Sequence, residues 1–199
     1  MKKCIIFCAA EFDKLTAPID QEDYILAADG GLRHLEKAGL KPHGIIGDFD
    51  SLGYTPEGAE VFPVEKDDTD MLAAIKLGLA QGYQSFRIYG GMGGRLEHTI
   101  ANIQCLLYLK EHNAVGYLMD GTGMILVAKE EEISFQDSLE GYMSLFSMGD
   151  KATVSIENMK YLLQIKIITF SKRKKKEIEK WKDRAGITAN VGVISGGTV

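Results

Sequence analysis

Cysteine is scarce in this chain, with only Cys4, Cys8 and Cys105 among 199 residues. An odd, small count builds no disulfide framework, and no cluster of His and Cys at ligand spacing completes a zinc site. Cys4 and Cys8 lie in the apolar opening MKKCIIFCAA and read as buried free thiols. A basic excess is also lacking. The net charge of −5 argues against a nucleic-acid binder. It does not argue against phosphate ligands, because a bound cation supplies positive charge locally. Long apolar runs are missing too. Lys2 and Lys3 followed by CIIFCAA faintly mimic an export signal, but the run ends at Glu11, too short and too soon charged to export or span. No internal repeat is visible. A cytoplasmic protein without membrane association is expected.

What is present is ordinary for a globular chain, with 45% hydrophobic and 26% charged residues. The first two thirds alternate short apolar runs with amphipathic segments. Strands are expected at 3–8, 24–28, within HGIIGDFDS, at Val61–Val64, in FRIYGG and at Ala114–Met119. Helices are expected after Leu32 with a stop at Gly39, from Thr69 to Leu79, and from Leu96 to Leu109. This alternation implies an α/β fold with a parallel sheet between layers of helices, whose ligands bind beyond the carboxyl ends of the strands. After Gly121 the pattern changes to short β runs: MILVA, EISF, YMSLFSM, ATVSI and YLLQIKIITF, separated by turn signals. The reading is an α/β domain over 1–122 and a smaller all-β sandwich over 123–199. The basic run Lys172–Lys176 reads as a solvated face.

Three acidic motifs follow three apolar runs: Asp29 in ADGG, Asp48 and Asp50 in GDFDS, and Asp67, Asp68 and Asp70 in KDDTD. Singly, each has a plain explanation. Asp29 suits a turn before Gly30, Asp68 a helix N-cap, Ser51 a turn cap. Together, at the ends of parallel strands, they gather on one sheet edge, where like charges repel strongly unless cations, water or protons intervene. Oxygen-rich clusters suit magnesium. In an extended GDFDS, Asp48 and Asp50 point the same way.

The fourth motif is GGMGGRLEHTIAN, residues 90–102, between a strand and a helix. Gly90, Gly91, Gly93 and Gly94 let backbone N–H groups approach a phosphate, the helix N-terminus adds positive potential, and Arg95 can fork onto phosphate oxygens. It is neither the GxxxxGK[ST] loop, since no Lys-Ser/Thr follows, nor GxGxxG, since Leu96 holds the third place. On a helix, Arg95, His98 and Asn102 share a broad face. His98 reads equally as a phosphate ligand or as a structural histidine. His34, His43 and His112 read as surface residues. Lys66 either balances the acids and touches a phosphate or stays on the surface.

ADGG, GDFDS, KDDTD and GGMGGRLEH, in this order and spacing, resemble the thiamine pyrophosphokinase family from residue 1 to about 165. The resemblance implies an N-terminal α/β domain and a C-terminal β-sandwich, a homodimer with active sites at the subunit interface, and conversion of thiamine and ATP to thiamine diphosphate and AMP with magnesium. It places Asp29, Gly30 and Gly31 near the nucleotide, and Asp48, Asp50 and Ser51 at the metal and reacting phosphates. Asp67, Asp68, Thr69 and Asp70 complete the acidic wall, with Asp48, Asp50 and Asp70 as metal ligands. Gly90 to Arg95 and His98 hold the phosphates, and Asn102 lies near the acceptor pocket. The chain departs from the family at Glu97, where an Asp is usual. It departs again after about Ile165, where the family's Ser-Asn-Glu segment has no counterpart beyond GITAN. Trp181 reads as a packing residue, with stacking on an aromatic acceptor as the alternative.

No covalent nucleophile motif accompanies the acids and the glycine loop. The expected chemistry is therefore direct in-line attack of an alcohol on the β-phosphorus of ATP. Asp48, Asp50, Asp70 and Arg95 are the candidate catalytic residues, with Asp50 the favoured proton acceptor. The rival readings are a pyrophosphokinase for another alcohol, such as a hydroxymethylpterin, and a non-catalytic thiamine or nucleotide sensor.

Overall fold

The structure is a computed structural model, described for residues 2–47, 60–62, 68–121, 123–134, 142–148, 151–155, 164–168 and 192–197. The chain divides into two compact units, Met1–Leu126 and Val127–Val199.

In the first unit, the apolar runs become strands β1 (Cys4–Phe7), β2 (Tyr24–Ala28), β3 (Gly44–Ile46), β4 (Glu60–Phe62), β5 (Ser85–Tyr89) and β6 (Val115–Met119). They lie in the order β4-β3-β2-β1-β5-β6, and every neighbouring pair is parallel. A seventh strand, β7 (Gly123–Ala128), runs antiparallel to β6 with Met119 opposite Met124. Met124–Ala128, expected to open the all-β region, thus extends the parallel sheet. A tight turn lets the chain fold back on β6: the Asp120 carboxylate accepts from the Gly123 amide at 2.6 Å.

Side chains alternate across the strands and need cover on both faces. Ile5, Phe7, Ala27, Ile45 and Tyr89 form a core with Leu32 and Leu35 of α1 (Leu32–Ala38). The opposite face, carrying Cys4, Phe86 and Leu118, is covered by α2 (Asp70–Ala80) and α3 (Leu96–Glu111). Glycines set the spacing there. A Cβ on Gly78 of α2 would stand 2.6 Å from the Phe86 ring, and one on Gly116 of β6 would stand 2.4 Å from Leu109 of α3. Ile5, Ile6, Leu26, Ile45 and Ile88 are all fully buried, each contributing about 1.5–3 kcal/mol on the transfer scale. Gly39 ends α1 in the left-handed region (φ 67), with Leu40 N–H donating to Leu35 O across it.

Chain order decides where a ligand fits. Strands β2, β3 and β4 lie on one side of β1, and β5 and β6 on the other. Successive connections therefore leave β1 and β5 in opposite directions, and the crevice beyond their carboxyl ends is the usual ligand position in such sheets.

In the second unit, β8 (Tyr142–Ser147) pairs antiparallel with β11 (Gly192–Gly197), and β9 (Lys151–Ser155) with β10 (Gln164–Ile168). The EISF run does not form the expected strand: Glu132–Ser134 carries no regular structure, and three successive acids (Glu130–Glu132) before a single Ile give it little to bury. The Lys172–Lys176 run and Trp181 lie outside the described residues. Among the described residues no helix is long and apolar enough to cross a membrane.

Candidate active site

The end of β1 is the hub. Phe7 is its last residue, and Cys8 continues the path to the edge, its N–H bonding Tyr89 O at 2.8 Å. Two turns close on this point from either side.

From the β2 side comes Asp29-Gly30-Gly31, a single 3-10 turn leading into α1. Asp29 is left-handed (φ 47), a conformation that Asp, with its short polar side chain, tolerates better than most residues. Glycine at 31 is a steric requirement, since a Cβ would stand 1.9 Å from Phe7 O. Gly47, the residue before Asp48, lies against the same turn, with its would-be Cβ 3.3 Å from Asp29 Cα. The start of GDFDS therefore reaches Asp29. Asp48, Asp50 and Ser51 themselves lie outside the described residues, as do Lys66 and Asp67.

From the β5 side comes the glycine loop. Gly90 (φ 66) is packed on the β1 extension, with a Cβ position 2.3 Å from Cys8 O, and Ala10 N–H donates to Gly90 O at 3.0 Å. Gly93 (φ 82) and Gly94 (φ 65) also take left-handed backbone, but nothing lies within 4 Å of a Cβ at either. The loop opens to solvent just where α3 begins.

The KDDTD motif arrives at the start of α2. The N-cap is Thr69, not Asp68: its Oγ accepts from Leu72 N–H at 3.2 Å because the helix begins one residue later than an Asp68 cap requires. Asp68 instead takes an ion pair of 2.6 Å with Lys76, and its side chain is mostly buried. Asp70 stands in the first turn, where the helix dipole favours a negative charge.

Two buried thiols register how close these acids lie. Burial pushes the Cys8 thiol well above its ordinary range, and Cys105, Asp70 and Asp29 push it further. The Cys105 thiol is pushed up to about 11, first by burial; its hydrogen bond with Thr69 works against this and Asp68 works with it. Asp29, after β2, and Asp70, at the start of α2, thus act on one sulfur at the tip of β1. Burial thus keeps both thiols protonated and poor nucleophiles. What remains is a carboxylate set, the hard oxygen donors that magnesium takes. Among the described residues no three His, Cys, Asp or Glu side chains are grouped to hold a metal; of the acids expected as metal ligands, Asp70 alone lies among the described residues.

Arg95, His98 and Asn102 do not share a helix face. Arg95 is extended (φ −74, ψ 126) and precedes α3, so only His98 and Asn102 are helical. Arg95 Nε donates to the Glu97 carboxylate at 2.5 Å. His98 is exposed. Asn102 Nδ2 donates to Gly91 O at 2.8 Å and so braces the glycine loop; this is the role the structure gives it. His34 is not a plain surface residue. Half-buried, its Nε2 lies 3.1 Å from Ala10 O and its ring packs on Phe12, steadying the segment after β1. His43 and His112 are exposed, as read from the sequence.

Comparison with known proteins adds a family to this geometry. The family described as thiamin pyrophosphokinase, catalytic domain, matches residues 15–118, just over half of the chain. A thiamine pyrophosphokinase of Bacillus subtilis is 28% identical over 159 residues, which cover 75% of this chain and 74% of that protein. Among solved structures, the chain is similar to thiamine pyrophosphokinase from Bacillus subtilis, with a TM-score of 0.82, 22% identity and 99% of both chains covered. It is also similar to thiamin pyrophosphokinase from Geobacillus thermodenitrificans, with a TM-score of 0.77, 20% identity and coverage of 100% of this chain and 98% of that one.

Proposed function

The chain belongs to the thiamin pyrophosphokinase family, and on that premise we propose that it transfers the pyrophosphoryl group of ATP to the hydroxyl of thiamine, giving thiamine diphosphate and AMP. One observation carries this reading: acids from the β2 and α2 turns and a glycine loop from β5 converge on the tip of β1. A cluster of carboxylates beside a polyphosphate is tolerable only with a cation between them. The carboxylates of Asp29 and Asp70, with Asp48 and Asp50 from the segment that follows Gly47, would hold magnesium, which supplies charge neutralisation to the phosphate oxygens.

The chain's own groups do the rest. The amides of Gly90–Gly94 and the N-terminus of α3 receive phosphate oxygens. Arg95 carries the negative charge that develops as the bridge breaks. The thiamine hydroxyl oxygen bonds to the β-phosphorus, and the bond from that phosphorus to the α-bridging oxygen breaks. AMP leaves with the bridging oxygen, and the hydroxyl proton passes to a carboxylate, for which Asp50 is the choice. The acidic edge also suits thiamine's cationic ring. The family resemblance supports a homodimer in which the second unit is a β-sandwich that binds thiamine and joins the subunits. The described cysteines are all free and buried, in keeping with a reducing cytoplasm.

The test follows the phosphorus. With thiamine and ATP, phosphorus NMR should show AMP and thiamine diphosphate together; ADP as first product overturns pyrophosphoryl transfer, and turnover only with hydroxymethylpterin reassigns the acceptor. Asp50→Asn should lower turnover about a hundredfold or more, as loss of a general base or metal ligand does. Near-normal turnover removes Asp50 from the mechanism.

A further inference from the structure

The first turn of a helix favours an acidic side chain, but beside a phosphate cradle that side chain also opposes an anionic ligand. Glu97 sits in the first turn of α3, three residues beyond Gly94, on the segment whose N–H groups and dipole would receive a polyphosphate. It is fully ionised at neutral pH, its carboxyl held below the usual range first by its own backbone N–H and then by Arg95. The helix end accounts for its ionisation but not for placing its charge where it opposes the ligand.

The contact it makes is specific. The Glu97 carboxylate accepts from Arg95 Nε at 2.5 Å, and both side chains are otherwise open to solvent, 73% and 61% exposed. Residues two apart on a helix do not face one another. The pair forms because Arg95 is still extended while Glu97 is already helical. Taking Nε fixes the plane of the guanidinium and leaves the terminal nitrogens for the bidentate grip that arginine makes on phosphate.

We propose that Glu97 is a positioning residue which orients the Arg95 guanidinium toward the ATP polyphosphate, and that it is not a ligand of the metal or of the acceptor. The proposal rests on the phosphate-binding reading of the glycine loop. The two physical pictures predict opposite signs. If Glu97 only adds negative charge, removing that charge tightens ATP binding. If Glu97 orients Arg95, removing it weakens ATP binding in spite of the charge relieved.

The experiment is a double-mutant cycle on the full-length enzyme, reading the calorimetric affinity for α,β-methylene-ATP with magnesium and, in turnover, KM for ATP against kcat. Glu97→Gln should weaken binding about two- to fivefold, the range an exposed ion pair allows, with KM rising and kcat nearly unchanged. Glu97→Asp should restore most of the loss. In an Arg95→Ala background Glu97→Gln should weaken binding no further. Unchanged or tighter binding by Glu97→Gln, where Arg95→Ala alone binds weakly, overturns the positioning role. So does an equal loss in both backgrounds. Full affinity in Arg95→Ala overturns the phosphate-cradle reading itself, and this proposal with it. Melting temperatures of the five proteins separate these outcomes from damage to α3.

Discussion

The two turns that meet at the tip of β1 carry glycine for opposite reasons. In the Asp29-Gly30-Gly31 turn, glycine is there because of what surrounds it: a side chain at 31 would run into Phe7 O. In the Gly93-Gly94 segment, glycine is there because of the backbone alone, since both residues are left-handed and face open space. The first turn is locked by the fold with or without a ligand. The second keeps its shape through its dihedrals and a few hydrogen bonds, from Asn102 to Gly91 O and from the Thr99 hydroxyl to Gly93 O. Asp29 therefore sits on the part of the site that stability protects, and the amides proposed to receive phosphate on the open part. Substitutions on the first side should register as lost stability, and those on the second as lost affinity.

The hardest blow to that distinction is Gly31→Ala. A methyl 1.9 Å from a buried carbonyl oxygen forces α1 or β1 to move. The expected loss is about 3 kcal/mol or more, at the upper end of what overpacking costs. Urea denaturation should show it equally with and without ATP. A variant as stable as the parent would mean that this turn is as loose as the glycine loop. Gly94→Ala is the counterpart. Its folded neighbours do not object, so only the left-handed backbone does, at about 1–2 kcal/mol. Because the loop can escape that cost by changing shape, the denaturation midpoint should move little while KM for ATP rises about tenfold, the factor that 1.4 kcal/mol represents. A large stability loss with unchanged KM reverses the assignment.

Much of this was legible before any coordinates, and what escaped did so for definable reasons. A strand ending in Asp-Gly-Gly is local chemistry, so the turn after β2 was readable, as was the stop of α1 at Gly39. The lock of Gly31 on Phe7 joins residues that only strand pairing brings together. The neighbours of Asp68 resemble a helix N-terminus, but capping depends on the residue at which helical dihedrals begin, and that residue follows Thr69. The Asp68–Lys76 pair escaped for the same reason: Asp68 lies outside the helix, so the spacing rules for helical pairs do not reach it. Arg95 was placed on a helix face that it precedes by one residue, and that offset creates its bond to Glu97. Met124–Ala128 has a strand's composition, and composition does not say which sheet it joins.

The finest test of the comparison is the brace. Asn102 lies on the second turn of α3, and its amide reaches back to Gly91 O at 2.8 Å. Gly91 itself is closely packed, with a Cβ position 2.7 Å from Leu118, so the brace ties α3 to the packed half of the loop. Asn102→Ala removes one donor and leaves the Gly91 carbonyl to find water, a loss of about 0.5–1.5 kcal/mol. If the packed half holds its place without help, that small loss appears in stability and KM for ATP stays within about twofold. If the loop depends on Asn102, KM rises more than stability falls, and Asn102→Asp, which keeps the size but accepts where Asn donated, should be worse than Asn102→Ala. A carboxylate aimed at a carbonyl oxygen is repelled and must turn away, so the order of these two variants shows whether the brace governs the shape of the loop.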